Sequence, residues 1–339
     1  MAKKTPRRKW RRWARLLVAF ILAVVLLVYL ILQVDFRLWR RGRHRDLLSG
    51  SSLAVTERGT VEYATRGQGP VILIMHGGMG GYDQALAIGN FLEGFQVLAP
   101  SRPGHLRTEL SVGQTYEDQA KACAALLDSL GIDRVAVLGA SAGGPPAIQF
   151  AQEYPDRVWA LVLVSAITKA FVDPTPDGST FQRVTDRIFG KDFADWFMAR
   201  LVMRFPERLL LNEDNWFLSE RDREILRQDP DKLKLLMDFM ANVGPSSLRL
   251  EGYDNDVIQQ GRMGEQDPLP ISTPTLVIHG TADAVVDFSH AESVVRRIQN
   301  SELVAIEGAG HFTLLTQSEQ NEPLIRQFLH KHAASAGIE

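Results

Sequence analysis

The chain has 339 residues, 45% of them hydrophobic and 23% charged, with a formal net charge of −2. That composition supports a packed core and excludes wholesale disorder or a fibrous repeat, and a single cysteine, Cys123, excludes an intramolecular disulfide or a multi-cysteine zinc site. The charge is unevenly spread: the first 46 residues hold thirteen Lys/Arg against two acids, +11, which leaves −13 on the remainder, and so acidic a body repels polyanions, so no nucleic-acid partner is expected.

Residues 1–15 form a basic tail. Leu16–Leu32 then reads LLVAFILAVVLLVYLIL, 17 residues without a polar side chain. As a helix this run covers about 25 Å at about 1.5 Å per residue, close to the thickness of a bilayer core. Trp10, Trp13 and Trp39 stand where interfacial anchors belong. Residues 16–34 are therefore expected to span a membrane, with the N-terminus cytoplasmic because eight Lys/Arg precede the run and five follow it. The body would lie outside the cytoplasm, periplasmic in a bacterium. The alternative is a cleaved signal peptide, but no A-x-A site follows Leu32 and the apolar run exceeds the usual 7–15 residues. Residues 35–52 read as an exposed linker, and the basic flanks suit anionic lipid head groups.

The body opens with two strand-like runs, Leu53–Glu57 and Val61–Thr65, as a hairpin. Val71–Met75, Gln96–Ala99, Arg134–Leu138, Val158–Val164, Thr275–Ile278 and Leu303–Ile306 are further strands, several of them continuous apolar runs of the kind buried on both faces. Helical periodicity appears over Tyr116–Leu130, closed by Gly131, and over Ala147–Glu153 and Leu324–His330. Alternating strands and helices predict a mostly parallel, doubly wound α/β sheet. Residues 168–270 break the rhythm and read as a helical insert, so the core comprises 53–167 and 271–339.

Gly139-Ala140-Ser141-Ala142-Gly143 fits G-x-S-x-G between a strand and a helix, the context that exposes a serine on a sharp turn at a helix N-terminus. A serine hydroxyl needs a base to take its proton. His311, in Gly308-Ala309-Gly310-His311 after the last strand, has the late loop position that the order Ser…Asp…His requires. His44, His330 and His332 read as solvated, His76 and His279 as structural, His290 as part of a helix, and His105 as a loop residue able to line the pocket. Asp283, just past a strand end, is the favoured orienting acid, with Asp287 as runner-up and Glu307 a weaker candidate. The oxyanion donors are assigned to the backbone N–H groups of Ala142 and Gly78, with Gly77 and Met79 as alternatives. The glycine-rich loop 76–81 fits neither a P-loop nor a dinucleotide fingerprint. No metal and no organic cofactor is expected.

The body resembles the α/β-hydrolase fold family through His76-Gly77-Gly78, Ser101-Arg102-Pro103-Gly104, the Gly139–Gly143 turn, His279-Gly280-Thr281-Ala282-Asp283 and Gly308-Ala309-Gly310-His311. The resemblance implies that 168–270 forms a helical cap over the active site. The serine departs from the haloalkane dehalogenase and epoxide hydrolase branches, which use Asp there. Residues 76–81 are similar to the HGGPGG stretch of proline iminopeptidases, with Met79 in place of the proline. The expectation is a membrane-anchored serine hydrolase of carboxylic esters, acting on a small-molecule substrate with an apolar acyl group. Alternatives are an iminopeptidase-like peptidase or amidase, a carbon–carbon bond hydrolase of the meta-cleavage kind, and a ligand-sensing module without turnover. The insert carries Phe171, Phe181, Phe189, Phe193, Trp196, Phe197, Trp216, Phe217, Phe239, Tyr253 and Met263, as helix packing or as an apolar pocket.

Overall fold

A computed structural model of the chain describes residues 6–172, 190–264 and 269–338. Residues 1–5 of the basic tail, and Phe181 and Phe189 of the insert, lie outside the described residues. The chain divides into two compact units, Met1–Asp46 and Leu47–Glu339.

A single helix, α1 (Pro6–Ser49), runs through the first unit and ends in the second. None of the apolar run is buried along it, and its most apolar 18-residue window has a mean hydropathy of 3.0. The stretch 35–52 read as a linker is instead helical through Ser49. Its residues are mostly good helix formers, it holds no proline, and one interior glycine, Gly42, costs only about 1 kcal/mol. The compact body also begins earlier than Leu53. Leu47 is buried in the core, and its carbonyl accepts the Tyr82 hydroxyl at 2.8 Å.

The body is built on one eight-stranded sheet in the order β1-β2-β4-β3-β5-β6-β7-β8. β1 (Ser52–Thr56) and β2 (Gly59–Arg66) form the expected hairpin, and β2 pairs antiparallel with β4 (Gln96–Pro100). From β4 through β3 (Val71–Met75), β5 (Val135–Ala140), β6 (Val158–Val164), β7 (Thr275–Gly280) and β8 (Ser301–Ile306) every pairing is parallel. Alternate residues of β3 face opposite sides: Leu73 and Met75 join one apolar cluster, Ile72 and Ile74 the other. Helices α2 (Tyr82–Ile88), α3 (Tyr116–Ser129) and α4 (Gly144–Glu153) follow β3, β4 and β5. Thr115 caps α3 by accepting the Asp118 N–H at 3.1 Å.

Between β6 and β7 the described helices are α5 (Lys191–Arg204), α6 (Pro206–Leu209), α7 (Glu220–Gln228), α8 (Pro230–Ala241) and α9 (Leu250–Gly261). Leu210, Leu211, Leu218, Leu226 and Leu236 form a separate core in this insert, and Phe312 and Leu315 of the sheet domain pack against it. The chain then adds α10 (Ser289–Arg297), α11 (Thr313–Thr316) and α12 (Ser318–Ser335).

The β5–α4 junction is tightly closed. A Cβ on Gly143 would lie 2.1 Å from the Met75 carbonyl oxygen, and one on Gly139 would meet Ala147 Cβ and the Gly143 carbonyl oxygen at 2.7 Å. Gly143→Ala is therefore expected to cost about 3 kcal/mol or more, because a backbone oxygen cannot turn aside as a side chain does. Urea unfolding will show it as a large drop in midpoint, whereas Gly261→Ala, with nothing within 4 Å, shifts the midpoint little.

Candidate active site

Ser141 sits in the first turn after β5 with φ +52°, a left-handed conformation that non-glycine residues rarely adopt. The small neighbours make this turn sterically feasible. The Ile167 N–H holds it by donating to the Ser141 carbonyl at 3.0 Å. His311 Nε2 lies 3.2 Å from Ser141 Oγ. His311 Nδ1 lies 2.8 Å from Asp283 Oδ2. A carboxylate only accepts at neutral pH, so Nδ1 carries the imidazole proton and Nε2 faces the serine as an acceptor.

Asp283 is buried on the loop after β7. Its Oδ1 accepts the N–H groups of Val285 and Val286, both at 2.9 Å, and His279 Nε2 lies 3.3 Å from Oδ2. Burial pulls its pKa upward. The charge of His311 and the hydrogen bonds from His279 and His311 outweigh burial and hold it well below the usual carboxylate range. Asp287, the runner-up, is used otherwise: its Oδ1 accepts the Ser289 N–H at the start of α10. Glu307 is exposed, and its carbonyl oxygen accepts from Arg221 at 2.5 Å.

The loop 76–81 runs beside the serine, and a Cβ on Gly77 would be 3.4 Å from Ser141 Cβ. The Gly77 N–H already donates to Gln84 Oε1 at 2.8 Å, which removes that alternative donor. Gly78 lies next to Ala142, since a Cβ added there would be 3.9 Å from Ala142 Cβ. Ala142 is in the first turn after Ser141, where backbone N–H groups have no intrahelical acceptor.

The other histidines mostly take structural places. His279 Nε2 donates to the Val286 carbonyl at 2.8 Å, and His290 Nδ1 accepts the Thr168 N–H at 3.1 Å. His105, expected to line the pocket, is fully buried instead, with Nε2 2.7 Å from the Gly78 carbonyl oxygen. Helix α9 of the insert seals it, because Gly252 packs directly on its ring. His330 is exposed as expected, with its ring against Phe95 at 4.6 Å, whereas His332 is half-buried, its ring resting on Phe328 at 4.5 Å. Burial pushes the Cys123 thiol up to about 12, which removes it as a competing nucleophile.

Two buried acids of the insert were not singled out by the sequence reading. Asp222 at the start of α7 accepts the Gly310 N–H at 2.8 Å and the Thr316 hydroxyl at 2.7 Å. It thereby holds the loop that presents His311. Asp256 on α9 pairs with Arg102. Their partners are 88 and 154 residues away in the chain, so no local spacing reveals them.

The insert lines the site in part. Phe312, next to His311, meets Phe217 and Phe239 edge to face at 6.1 and 6.2 Å. Phe171, Met263 and Val285 pack with Ala142, Ile167 and Val286. Phe193, Trp196 and Phe197 instead pack on one another, and Trp216 is exposed. Among the described residues no group of three or more His, Cys, Asp or Glu side chains is placed to hold a metal ion.

Residues 70–318 match the family model for the alpha/beta hydrolase fold. The chain belongs to that family. It is 29% identical to an uncharacterized hydrolase of Bacillus subtilis over 76% of this chain and 90% of the relative. It is 26% identical to a 2-hydroxy-6-oxo-6-phenylhexa-2,4-dienoate hydrolase of Burkholderia cepacia over 78% and 88%. Among solved structures, an alpha/beta hydrolase fold protein of Nakamurella multipartita superimposes with a TM-score of 0.72 at 30% identity, over 85% of this chain and 99% of that one.

Burial lowers the pKa of both His105 and His290 to about 4, with Arg102 and Lys169 as the next contributors. Both folded values lie below the unfolded value near 6.5. Between pH 6.5 and 4 the unfolded chain thus binds more protons than the folded one, and stability falls as pH falls through that window. The urea midpoint is expected to drop from pH 7 to pH 5, and to drop less in His290→Gln.

Proposed function

We propose that the chain is a membrane-anchored serine hydrolase of carboxylic esters with a Ser141–His311–Asp283 triad. The observation that carries this reading is the continuous relay Ser141 Oγ–His311–Asp283, at 3.2 and 2.8 Å, built on a serine held at φ +52°. Ser141 Oγ attacks the acyl carbonyl carbon while His311 Nε2 takes its proton. The oxyanion accepts hydrogen bonds from the Gly78 and Ala142 N–H groups. His311 returns the proton to the leaving alkoxide. Water, deprotonated by the same nitrogen, then attacks the acyl-enzyme, and the acid leaves with Ser141 restored. Asp283, ionised at any working pH, holds the Nδ1–H tautomer and stabilises the imidazolium formed in each half-reaction. Residues 168–270 act as the cap, and the Phe217–Phe239–Phe312 group beside His311 favours an apolar acyl chain.

A second reading, hydrolysis of a carbon–carbon bond, is favoured by relatives named as 2-hydroxy-6-oxo-dienoate hydrolases from Burkholderia cepacia and Comamonas testosteroni. Against it, such a substrate carries a carboxylate, and among the described residues the buried cations beside loop 76–81, Arg102 and Arg249, are already paired with Asp256 and Asp83.

The chain is expected to hydrolyse p-nitrophenyl esters with an optimum at intermediate acyl length. Ser141→Ala should lose about a thousandfold or more in kcat. Activity unchanged by that substitution removes the triad, and Ser141-dependent turnover of a ring-fission dienoate without ester turnover selects the second reading.

We place residues 16–34 across the membrane, with residues 1–15 in the cytoplasm and the hydrolase outside it. The exposed apolar helix and the excess of basic residues before it support this. In spheroplasts of an expressing cell, added protease should degrade the body while an N-terminal tag survives. Protection of the body reverses the orientation.

A further inference from the structure

The loop that carries Gly78 is gripped by its carbonyls. Arg102 Nε donates to the His76 carbonyl at 3.1 Å, and Arg102 Nη2 reaches the Gly77 carbonyl at 3.5 Å. The Arg102 N–H donates to His76 Nε2 at 2.9 Å. That leaves the neutral ring's proton on Nδ1, which donates to the Gly77 carbonyl at 2.8 Å. The Gly80 N–H adds a third bond to the same oxygen at 3.2 Å. His105 Nε2 is 2.7 Å from the next carbonyl, Gly78.

In a trans peptide the C=O of one residue and the N–H of the next point in opposite directions. Fixing the Gly77 oxygen toward Arg102 therefore turns the Gly78 N–H the other way. Fixing the Gly78 oxygen toward His105 likewise sets the Met79 N–H.

Both holding residues are in turn set by one helix of the insert. Arg102 forms a fork with Asp256 of α9, Nη1 to Oδ1 at 2.8 Å and Nη2 to Oδ2 at 2.5 Å, with both side chains 2% exposed. Gly252 of α9 lies so close to the His105 ring that a Cβ would sit 2.1 Å from it. The Gly252 N–H donates to the Gly104 carbonyl at 2.9 Å. The Tyr253 ring of α9 covers Gly78 directly.

We infer that Arg102 and His105 are positioning residues for the oxyanion-binding peptide, and that α9, through Asp256 and Gly252, makes that geometry conditional on a docked cap. This inference rests on the hydrolase reading above. Lysine cannot replace Arg102, because an ammonium lacks the planar fork that serves Asp256 and two carbonyls together.

The test uses the full chain in detergent and counts competent sites by labelling Ser141 with a fluorophosphonate, so misfolded protein does not enter kcat. Arg102→Lys and Asp256→Asn are expected to lower kcat per labelled site about tenfold to a hundredfold, with KM within about twofold. That is less than the loss of a whole oxyanion donor. Affinity for an alkyl boronic acid, which forms a tetrahedral adduct on the serine, should fall in parallel, while inhibition by the product carboxylate stays unchanged. His105→Leu should give the same pattern and His105→Gln, which keeps a donor, should restore part of it. This second pair carries the test if the buried ion-pair variants do not accumulate.

Wild-type kcat per labelled site in these variants overturns the proposal. So does a fall in kcat with boronate affinity retained. A wild-type chain without Ser141-dependent turnover or labelling removes the hydrolase reading and this inference together, which distinguishes the two failures.

Discussion

The left-handed backbone at Ser141 is the constraint on which the rest of the body depends. A non-glycine residue at φ +52° is costly and persists only where its surroundings leave no alternative. Here the surroundings are the Met75 and Gly143 carbonyls, the Ala147 methyl and the Ile167 N–H, which enclose the turn from β3, α4 and the end of β6. β5 lies between β3 and β6 in the sheet. The parallel order thus delivers the enclosing groups, and the glycines at 139 and 143 let them close in. The hydroxyl is left facing His311.

Around that turn the insert does more than cover the sheet. Asp222 reaches back to the loop of His311, and Asp256 reaches the arginine that holds the loop of Gly78. Each is a buried acid on an insert helix that binds a loop of the sheet domain beside the serine. Buried charges of this kind are expensive unless fully paired, and both are: Asp222 by backbone N–H and hydroxyl donors, Asp256 by a guanidinium fork. A second fork, Arg249 to Asp83 at 3.0 and 2.8 Å, joins the start of α9 to α2. The insert and the sheet domain are therefore linked by specific geometry as well as by apolar contact.

The same economy of partners appears where the body begins. Buried Glu62 accepts from the Ser51 hydroxyl at 2.7 Å, the Ser101 hydroxyl at 2.9 Å and Arg107 Nε at 2.6 Å. The Ser101 hydroxyl in turn accepts the Tyr82 N–H at 3.1 Å. Residues 47–51, the end of α1 and the two residues after it, are thus tied into the loops that flank the glycine-rich loop 76–81. This explains why that stretch is ordered structure where composition alone suggested a linker.

The sheet was legible in the sequence because its physics is local. Strands buried on both faces are continuous apolar runs, and Val71–Met75 and Val158–Val164 form over those bounds. The serine turn was legible because steric crowding demands small residues at fixed spacing. His311 and Asp283 were legible from their positions after strand ends, and the structure brings them to the serine. The roles of Asp222, Asp256, Arg102 and His105 were not legible, nor was the helical state of residues 35–49. Those depend on side chains meeting across scores of residues, and on how far a helix continues beyond its apolar run. The sequence by itself determined the sheet and the strained turn, since hydrophobic periodicity and short-range sterics decide them. Only the tertiary structure decided what holds the carbonyls of the glycine loop, because that is a matter of which distant donors, here Arg102 and His105, reach each of them.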